Sequence, residues 1–209
     1  MKEALQDPAL DASSHHSLDN DEASIDFIPV VFEENDPANP HNWKQSKKFM
    51  IIVASTVICL NSALGSAITS NLIPFLQKTF NVPDGPQTIL PGSVYLLGFV
   101  FGPLIFAPLS EAYGRKPVLL VGLVGFFLFT LSSALAPNWA SFLAFRFLAG
   151  TFGAPPVSVL GGVIADVFDD SRVRGLAMMT WSSAVFLGPL TAPIISGFLG
   201  PVGWRWAFW

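Results

Sequence analysis

An arginine stands inside a long apolar stretch of the chain, in the segment LAFRFLAGTFGAPP. Arg146 lies about seven residues beyond the start of that stretch, or about 10 Å deep at the rise of an α-helix. A charge at this depth in a bilayer is costly unless it meets a partner or a cavity. Its position therefore indicates a buried functional charge, with a snorkelling interfacial arginine as the alternative.

A short turn carries a second set of charges, in the segment APLSEAYGRKP between two apolar runs. We expect Glu111 to lie within reach of Arg115 or of a neighbouring helix N-terminus. Gly114 supplies the backbone freedom that a sharp turn needs. The basic pair Arg115 and Lys116 could simply keep the loop in the cytoplasm, but that reading leaves the acid in the same turn unexplained.

The composition indicates which kind of protein must position these charges. Of the 209 residues, 51% are hydrophobic and 12% are charged, and the mean hydropathy is +0.52. A soluble domain carries about a quarter charged residues, so these values predict a membrane protein. The basic residues are spread over loops between apolar runs, and we expect no nucleic-acid partner.

The N-terminal segment 1–43 differs from the rest of the chain. It is acidic and poor in large apolar residues, which predicts a disordered cytoplasmic tail that precedes a transmembrane bundle at 44–209. It lacks the pattern of a secretory signal peptide. We expect its histidines to be solvated, Cys59 to fill the core, and the protein to need neither metal nor cofactor.

Five apolar stretches are long enough to cross a bilayer, which takes about 20 residues. They are 49–73, 88–109, 117–136, 140–163 and 175–198. A sixth stretch begins at GWRWAFW, whose tryptophans resemble the aromatic belt at a membrane interface. The predicted fold class is an all-α membrane protein with five complete transmembrane helices and the start of a sixth. We expect a fragment of a longer protein; a complete five-span protein is the alternative.

Loop charges predict the orientation of these spans. Seven basic residues fall on one side, namely Lys44, Lys47, Lys48, Arg115, Lys116, Arg172 and Arg174. The opposite loops carry only Lys78 and Arg205. The positive-inside rule therefore places the N-terminus in the cytoplasm, and we expect a plasma-membrane protein.

Polar and small residues mark two of the spans. Asn61, Ser66 and Asn71 on the first span could line a substrate cavity, or they could make hydrogen bonds between helices. On the fifth span, small residues recur every fourth position, a spacing that lets helices approach closely. Pro189 and Pro193 are expected to bend or loosen that span.

The charged turn resembles the loop between helices two and three of the major facilitator superfamily, whose pattern runs roughly G-x-L-a-D-x-x-G-R-[KR]. Ala107 replaces the first glycine and Glu111 stands for the aspartate, while Gly114, Arg115 and Lys116 match. The resemblance implies that these charges form a latch on the cytoplasmic side.

Two further segments resemble motifs of that superfamily. Arg146 and Gly150 match its helix-four pattern l-x-x-x-R-x-x-x-G, and this implies a role for Arg146 in proton coupling. Gly175, Gly188 and Pro189 match half of the fixed positions of its antiporter signature on helix five. The segment VIADVFDD is similar to the fungal drug:proton antiporter branch.

The resemblance implies a fold of two six-helix bundles that bind substrate between them near the bilayer midplane. This chain would form the N-terminal bundle, and the small-residue face of its fifth span would pack against the missing C-terminal bundle. The implied activity is proton-coupled efflux of drugs, toxins or polyamines. A uniporter or symporter and a truncated, non-transporting protein are the alternatives. An enzyme is disfavoured, because no span contains a histidine or a carboxylate inside it.

Overall fold

The computed structural model describes residues 40–209. Nearly all of the predicted tail, including His15 and His16, lies outside the described residues. Within them, the chain forms seven α-helices and three short 3-10 helices. The α-helices are α1 Gln45–Ala67, α2 Ile73–Phe80, α3 Leu90–Tyr113, α4 Arg115–Ala134, α5 Trp139–Gly153, α6 Pro155–Val167 and α7 Ser171–Leu199. The 3-10 helices are Pro40–Asn42, Pro86–Ile89 and Trp204–Phe208.

Five helical segments are long and apolar enough to cross a membrane, which confirms the predicted number of spans. Large apolar side chains stay exposed along their outer surfaces. Leu104 on α3 is 69% exposed, and Phe198 on α7 is 78% exposed. Exposed apolar surface of this extent suits helices that face lipid rather than water.

The first span ends earlier than its apolar run predicts. α1 stops at Ala67, and a turn leads into the short helix α2. The hydroxyls of Ser66 and Ser70 each donate to the carbonyl three residues back, at 2.7 Å in both cases. Such side chains compete with the helical hydrogen bonds, and Pro74 in the first turn of α2 removes a further backbone donor.

Prolines interrupt the fourth span but not the fifth. The fourth consists of α5 and α6, which meet at Ala154 directly before Pro155 and Pro156. Proline can begin a helix but cannot continue one without losing a hydrogen bond. α7 nevertheless runs without interruption through Pro189 and Pro193, so the expected loosening does not break that helix.

Small residues set the pairing of the helices. α5 packs between α3 and α4, and α1 packs along α7. Gly98 lies directly against the backbone of Phe147, and Gly188 lies against Ala63 on α1. The prediction that the small-residue face of α7 contacts a second bundle is therefore wrong. That face is buried against α1, because only side chains of this size allow the two backbones to approach.

Apolar clusters close both ends of the bundle. At one end, Trp204 and Phe208 pack with Phe142, Leu72 and Leu76. At the other end, side chains of α6 pack with Phe168 and with Ala177 of α7. The start of the predicted sixth span is thus a short 3-10 helix. Its Trp204 and Phe208 side chains belong to the core, whereas Trp206 is exposed.

Candidate functional site

Arg146 is buried among backbone carbonyls. Its side chain is 1% exposed, so it does not snorkel to an interface. Its Nη2 donates to the carbonyl oxygen of Gly65 at 2.7 Å, and its Nε lies 3.4 Å from the carbonyl oxygen of Pro91. These contacts join α5 to α1 and α3. Within residues 40–209, no carboxylate forms an ion pair with Arg146.

The end of α1 explains how a charge can be held without a carboxylate. Gly65 lies in the last turn of α1, two residues before the helix ends at Ala67. Carbonyls in the last turn have no partner further along the helix, and they form the negative end of the helix dipole. The guanidinium of Arg146 therefore caps α1.

Aromatic rings complete the surroundings of Arg146. The guanidinium carbon lies 4.4 Å from the centre of the Tyr95 ring and 5.6 Å from the centre of the Phe208 ring. Such cation–π contacts stabilise a cation by about 2 kcal/mol or more where water is excluded. Arg146 thus keeps its charge in the bundle interior through neutral groups.

A hydrogen-bonded chain links the same three helices. The Tyr95 hydroxyl donates to the carbonyl oxygen of Ser62 at 2.8 Å. The Ser62 hydroxyl in turn donates to the carbonyl oxygen of Gly153, at the end of α5. Sequence reasoning missed Tyr95; a tyrosine inside an apolar span, which must bury its hydroxyl, was the signal available.

The charged turn has a different partner from the one predicted. Nε of Arg115 lies 2.6 Å from Oδ2 of Asp166, at the end of α6. Glu111 is exposed in the last turn of α3, and within the described residues its side chain forms no ion pair or hydrogen bond. Lys116 is also exposed. Gly114 alone connects α3 and α4, and its φ of 91° lies in the left-handed region that favours glycine.

Gly162 makes room for the Arg115 guanidinium. A Cβ at Gly162 would lie 2.8 Å from Nη2 of Arg115, too close for an ordinary contact. The glycine one turn before Asp166 thus leaves space for the guanidinium in the position where it forms the salt bridge. Neither residue was predicted for the site, although the acid in VIADVFDD was visible at the end of a span.

The predicted lining residues separate into two groups. Asn61 lines a cavity of about 590 Å³ between α1, α4, the α5–α6 junction and the C-terminal residues. Ser66 instead donates to Ala63, and Asn71 donates to the carbonyl oxygen of Pro193 at 2.7 Å. Asn71 therefore makes a hydrogen bond to another helix, α7, which was the alternative interpretation, whereas the bond of Ser66 stays within α1.

The predicted packing motif is only partly used in packing. Gly150 lies directly against the Tyr95 carbonyl, and Gly188 lies against Ala63. Gly175 has nothing within 4 Å of where its Cβ would be, and Pro189 is exposed. The glycines of α5 and the middle of α7 thus set helix distances, while Gly175 has no such role in this structure.

Known proteins are similar to this chain in sequence. The chain is 36% identical to the protein named efflux pump radE of Floropilus chiversii, over 97% of this chain and 41% of that protein. It is 38% identical to the multidrug transporter TPO1_2 of Candida glabrata, over 85% of this chain and 31% of that protein. It is 41% identical to the efflux pump FUBT of Fusarium oxysporum, over 87% of this chain and 30% of that protein.

The chain spans 30–41% of the length of these three relatives. The family model described as Major Facilitator Superfamily matches residues 55–209, which is most of the chain. Five apolar helices of spanning length make this a multi-pass membrane protein, and its all-α fold is that of an N-terminal facilitator bundle, as predicted. The chain therefore belongs to the Major Facilitator Superfamily.

Proposed function

We propose that this bundle serves proton-coupled efflux of small organic molecules such as drugs, toxins or polyamines, and that Arg146 is the residue that senses the proton. The observation that carries the proposal is the burial of Arg146 among carbonyls and aromatic rings. The names of the relatives, efflux pump and multidrug transporter, support the transport class.

The chemistry follows from the uncompensated charge. Since its neighbours are neutral, Arg146 repels any second cation that enters the bundle. At about 10 Å and an effective dielectric constant of about 20, this repulsion amounts to about 1.7 kcal/mol. That energy corresponds to a change of about tenfold in the affinity for a proton of a group at that distance. Proton release and cation binding would therefore influence each other through Arg146.

The test replaces Arg146 with lysine in the full gene product that carries these residues. Lysine keeps the charge but loses the planar fork that reaches the Gly65 and Pro91 carbonyls. We expect substrate efflux driven by a pH gradient to fall at least about tenfold, as one strong charged hydrogen bond is worth about 1.5–3 kcal/mol. Membrane insertion should be unchanged.

Arg205→Lys is the matched control. Arg205 also donates to a carbonyl, that of Ala134 at 2.9 Å, and also lies against a ring, that of Trp204. Its side chain is exposed, however, and outside the bundle interior. Equal rates for Arg146→Lys and the unchanged protein would contradict the role in coupling.

We propose that the turn Glu111–Lys116 acts as a cytoplasmic latch at the plasma membrane, with Arg115 held by Asp166. The half-exposed salt bridge supports this role, because a pair that water can reach opens and closes at low cost. Glu111 has no partner within the described residues, so its carboxylate is available to a helix of another bundle.

We propose that lipid covers the exposed apolar surfaces and that transport needs a C-terminal bundle, since the relatives are more than twice as long as this chain. Asn61, at the wall of the cavity, remains a candidate to contact substrate. Substrate would contact Asn71 and Ser66 only if the hydrogen bonds of these side chains break.

A further inference from the structure

Tyr95 lies beneath the functional charge and is itself completely buried. Its exposed fraction is 0%, and its ring centre is the closer of the two aromatic centres near the Arg146 guanidinium. A flat cation that rests on a ring face can turn within the plane of the ring but cannot tilt away from it without losing the contact. The position of Tyr95 therefore controls where the guanidinium can lie.

The Tyr95 ring is fixed by contacts at its far end. Its hydroxyl donates to the Ser62 carbonyl at 2.8 Å. Glycines flank that hydroxyl, and a Cβ at either Gly65 or Gly153 would lie 2.9 Å from its oxygen. The ring thus occupies a slot between α1 and α5 that admits no larger neighbour, and the hydroxyl prevents it from sliding out.

The same slot determines the direction of the Arg146 donors. Gly65 supplies both the carbonyl that accepts from Nη2 and part of the wall against the Tyr95 hydroxyl. A shift of the ring would therefore move the guanidinium relative to the carbonyl that it caps. The long contact from Nε to Pro91, at 3.4 Å, would not hold the group alone.

We propose that Tyr95 is the positioning residue of Arg146, through a ring face that supports the guanidinium and a hydroxyl that locks the ring to α1. The consequence for transport rests on the proposed role of Arg146 in proton coupling. The positioning of Arg146 by Tyr95 does not depend on that role, because it involves only contacts within the bundle.

The first experiment measures the Nε–H resonance of Arg146 by NMR in lipid nanodiscs. The chain has five arginines, so the resonance is assigned by its loss in Arg146→Lys. The ring current of Tyr95 should shift this resonance, and Tyr95→Phe keeps the ring, so we expect the shift to persist. Exchange of the Nε–H proton with water should become about fivefold faster, the factor for one ordinary hydrogen bond. Tyr95→Leu should remove the Tyr95 contribution to the shift, leave only that of the more distant Phe208 ring, and speed exchange about thirtyfold.

Tyr113→Leu is the matched control, since Tyr113 lies on the same helix and is 74% exposed. It should leave the Arg146 resonance and its exchange unchanged. An unaltered resonance in Tyr95→Leu, or an equal change in Tyr113→Leu, would overturn the proposal. If Tyr95→Leu does not fold, the exchange rate in Tyr95→Phe decides, and no acceleration there counts against positioning.

The second experiment compares pH profiles of efflux in the full gene product. Tyr95→Phe should displace the profile in the same direction as Arg146→Lys, whereas a residue with a purely structural role would lower the rate at every pH alike. If Arg146→Lys leaves the profile unchanged, the proposed function fails while the NMR result still decides the positioning. A displaced profile for Arg146→Lys with none for Tyr95→Phe would refute the role of Tyr95.

Discussion

Gly150→Ala should separate α3 from α5, the two helices that hold Tyr95 and Arg146. A Cβ at Gly150 would overlap the Tyr95 carbonyl oxygen and would lie 3.2 Å from the backbone nitrogen of Phe99. Both neighbours are backbone atoms, so no rotation of a side chain relieves the contact. One of the two helices has to move.

The size of the effect follows from two opposing terms. Overpacking of this kind costs about 1–3 kcal/mol, whereas alanine is a better helix former than glycine by about 1 kcal/mol. Gly175→Ala isolates the second term, because nothing lies within 4 Å of its Cβ position. The difference in unfolding free energy between the two variants should therefore be about 2–3 kcal/mol, the upper part of the overpacking range, since the contact is with backbone.

The assay is unfolding in detergent micelles by increasing fractions of sodium dodecyl sulfate, followed by tryptophan fluorescence. Gly150→Ala should unfold at a clearly lower fraction than the unchanged protein, and Gly175→Ala at the same or a higher fraction. Equal midpoints for the two variants would refute the reasoning, because they would show that α3 and α5 are not in backbone contact at Gly150.

Three further predictions concern the turn, the orientation and the transport unit. Asp166→Asn should change the unfolding free energy by less than about 1 kcal/mol, since the pair with Arg115 is partly exposed; a loss above about 2 kcal/mol would show a structural rather than a latching pair. In a Cys59→Ser background in intact cells, an impermeant thiol reagent should label P137C but not G114C, and the reverse pattern would invert the proposed orientation. Residues 1–209 alone in liposomes with a pH gradient should accumulate no substrate above empty liposomes, and accumulation would make the chain self-sufficient.

The sequence alone was sufficient for features that depend on local composition. Five spans follow from runs of apolar residues, because each backbone polar group in a bilayer has to be satisfied within its own helix. The sharp turn at Gly114 follows from residue type, as its positive φ confirms. The burial of Arg146 was one of two readings, since position in a run sets depth but not the direction in which a side chain points.

Partners across the bundle were decided by the tertiary structure. Arg115 reaches Asp166 rather than Glu111 because α3 continues to Tyr113, which leaves Glu111 exposed on the last turn of that helix. The end of α1 at Ala67, within an apolar run, depends on serine hydroxyls that bond locally. That end frees the carbonyl that Arg146 caps.

The pattern of small residues likewise did not predict which helices pair. The spacing on α7 predicted a close contact but not with which helix, and α1 rather than a second bundle fills that place. Tyr95 lies where α1, α3 and α5 meet, but no sequence motif includes it. Periodicity along a chain describes one helix at a time, whereas a buried charge is stabilised by groups from several helices, whose approach depends on the packing of all of them.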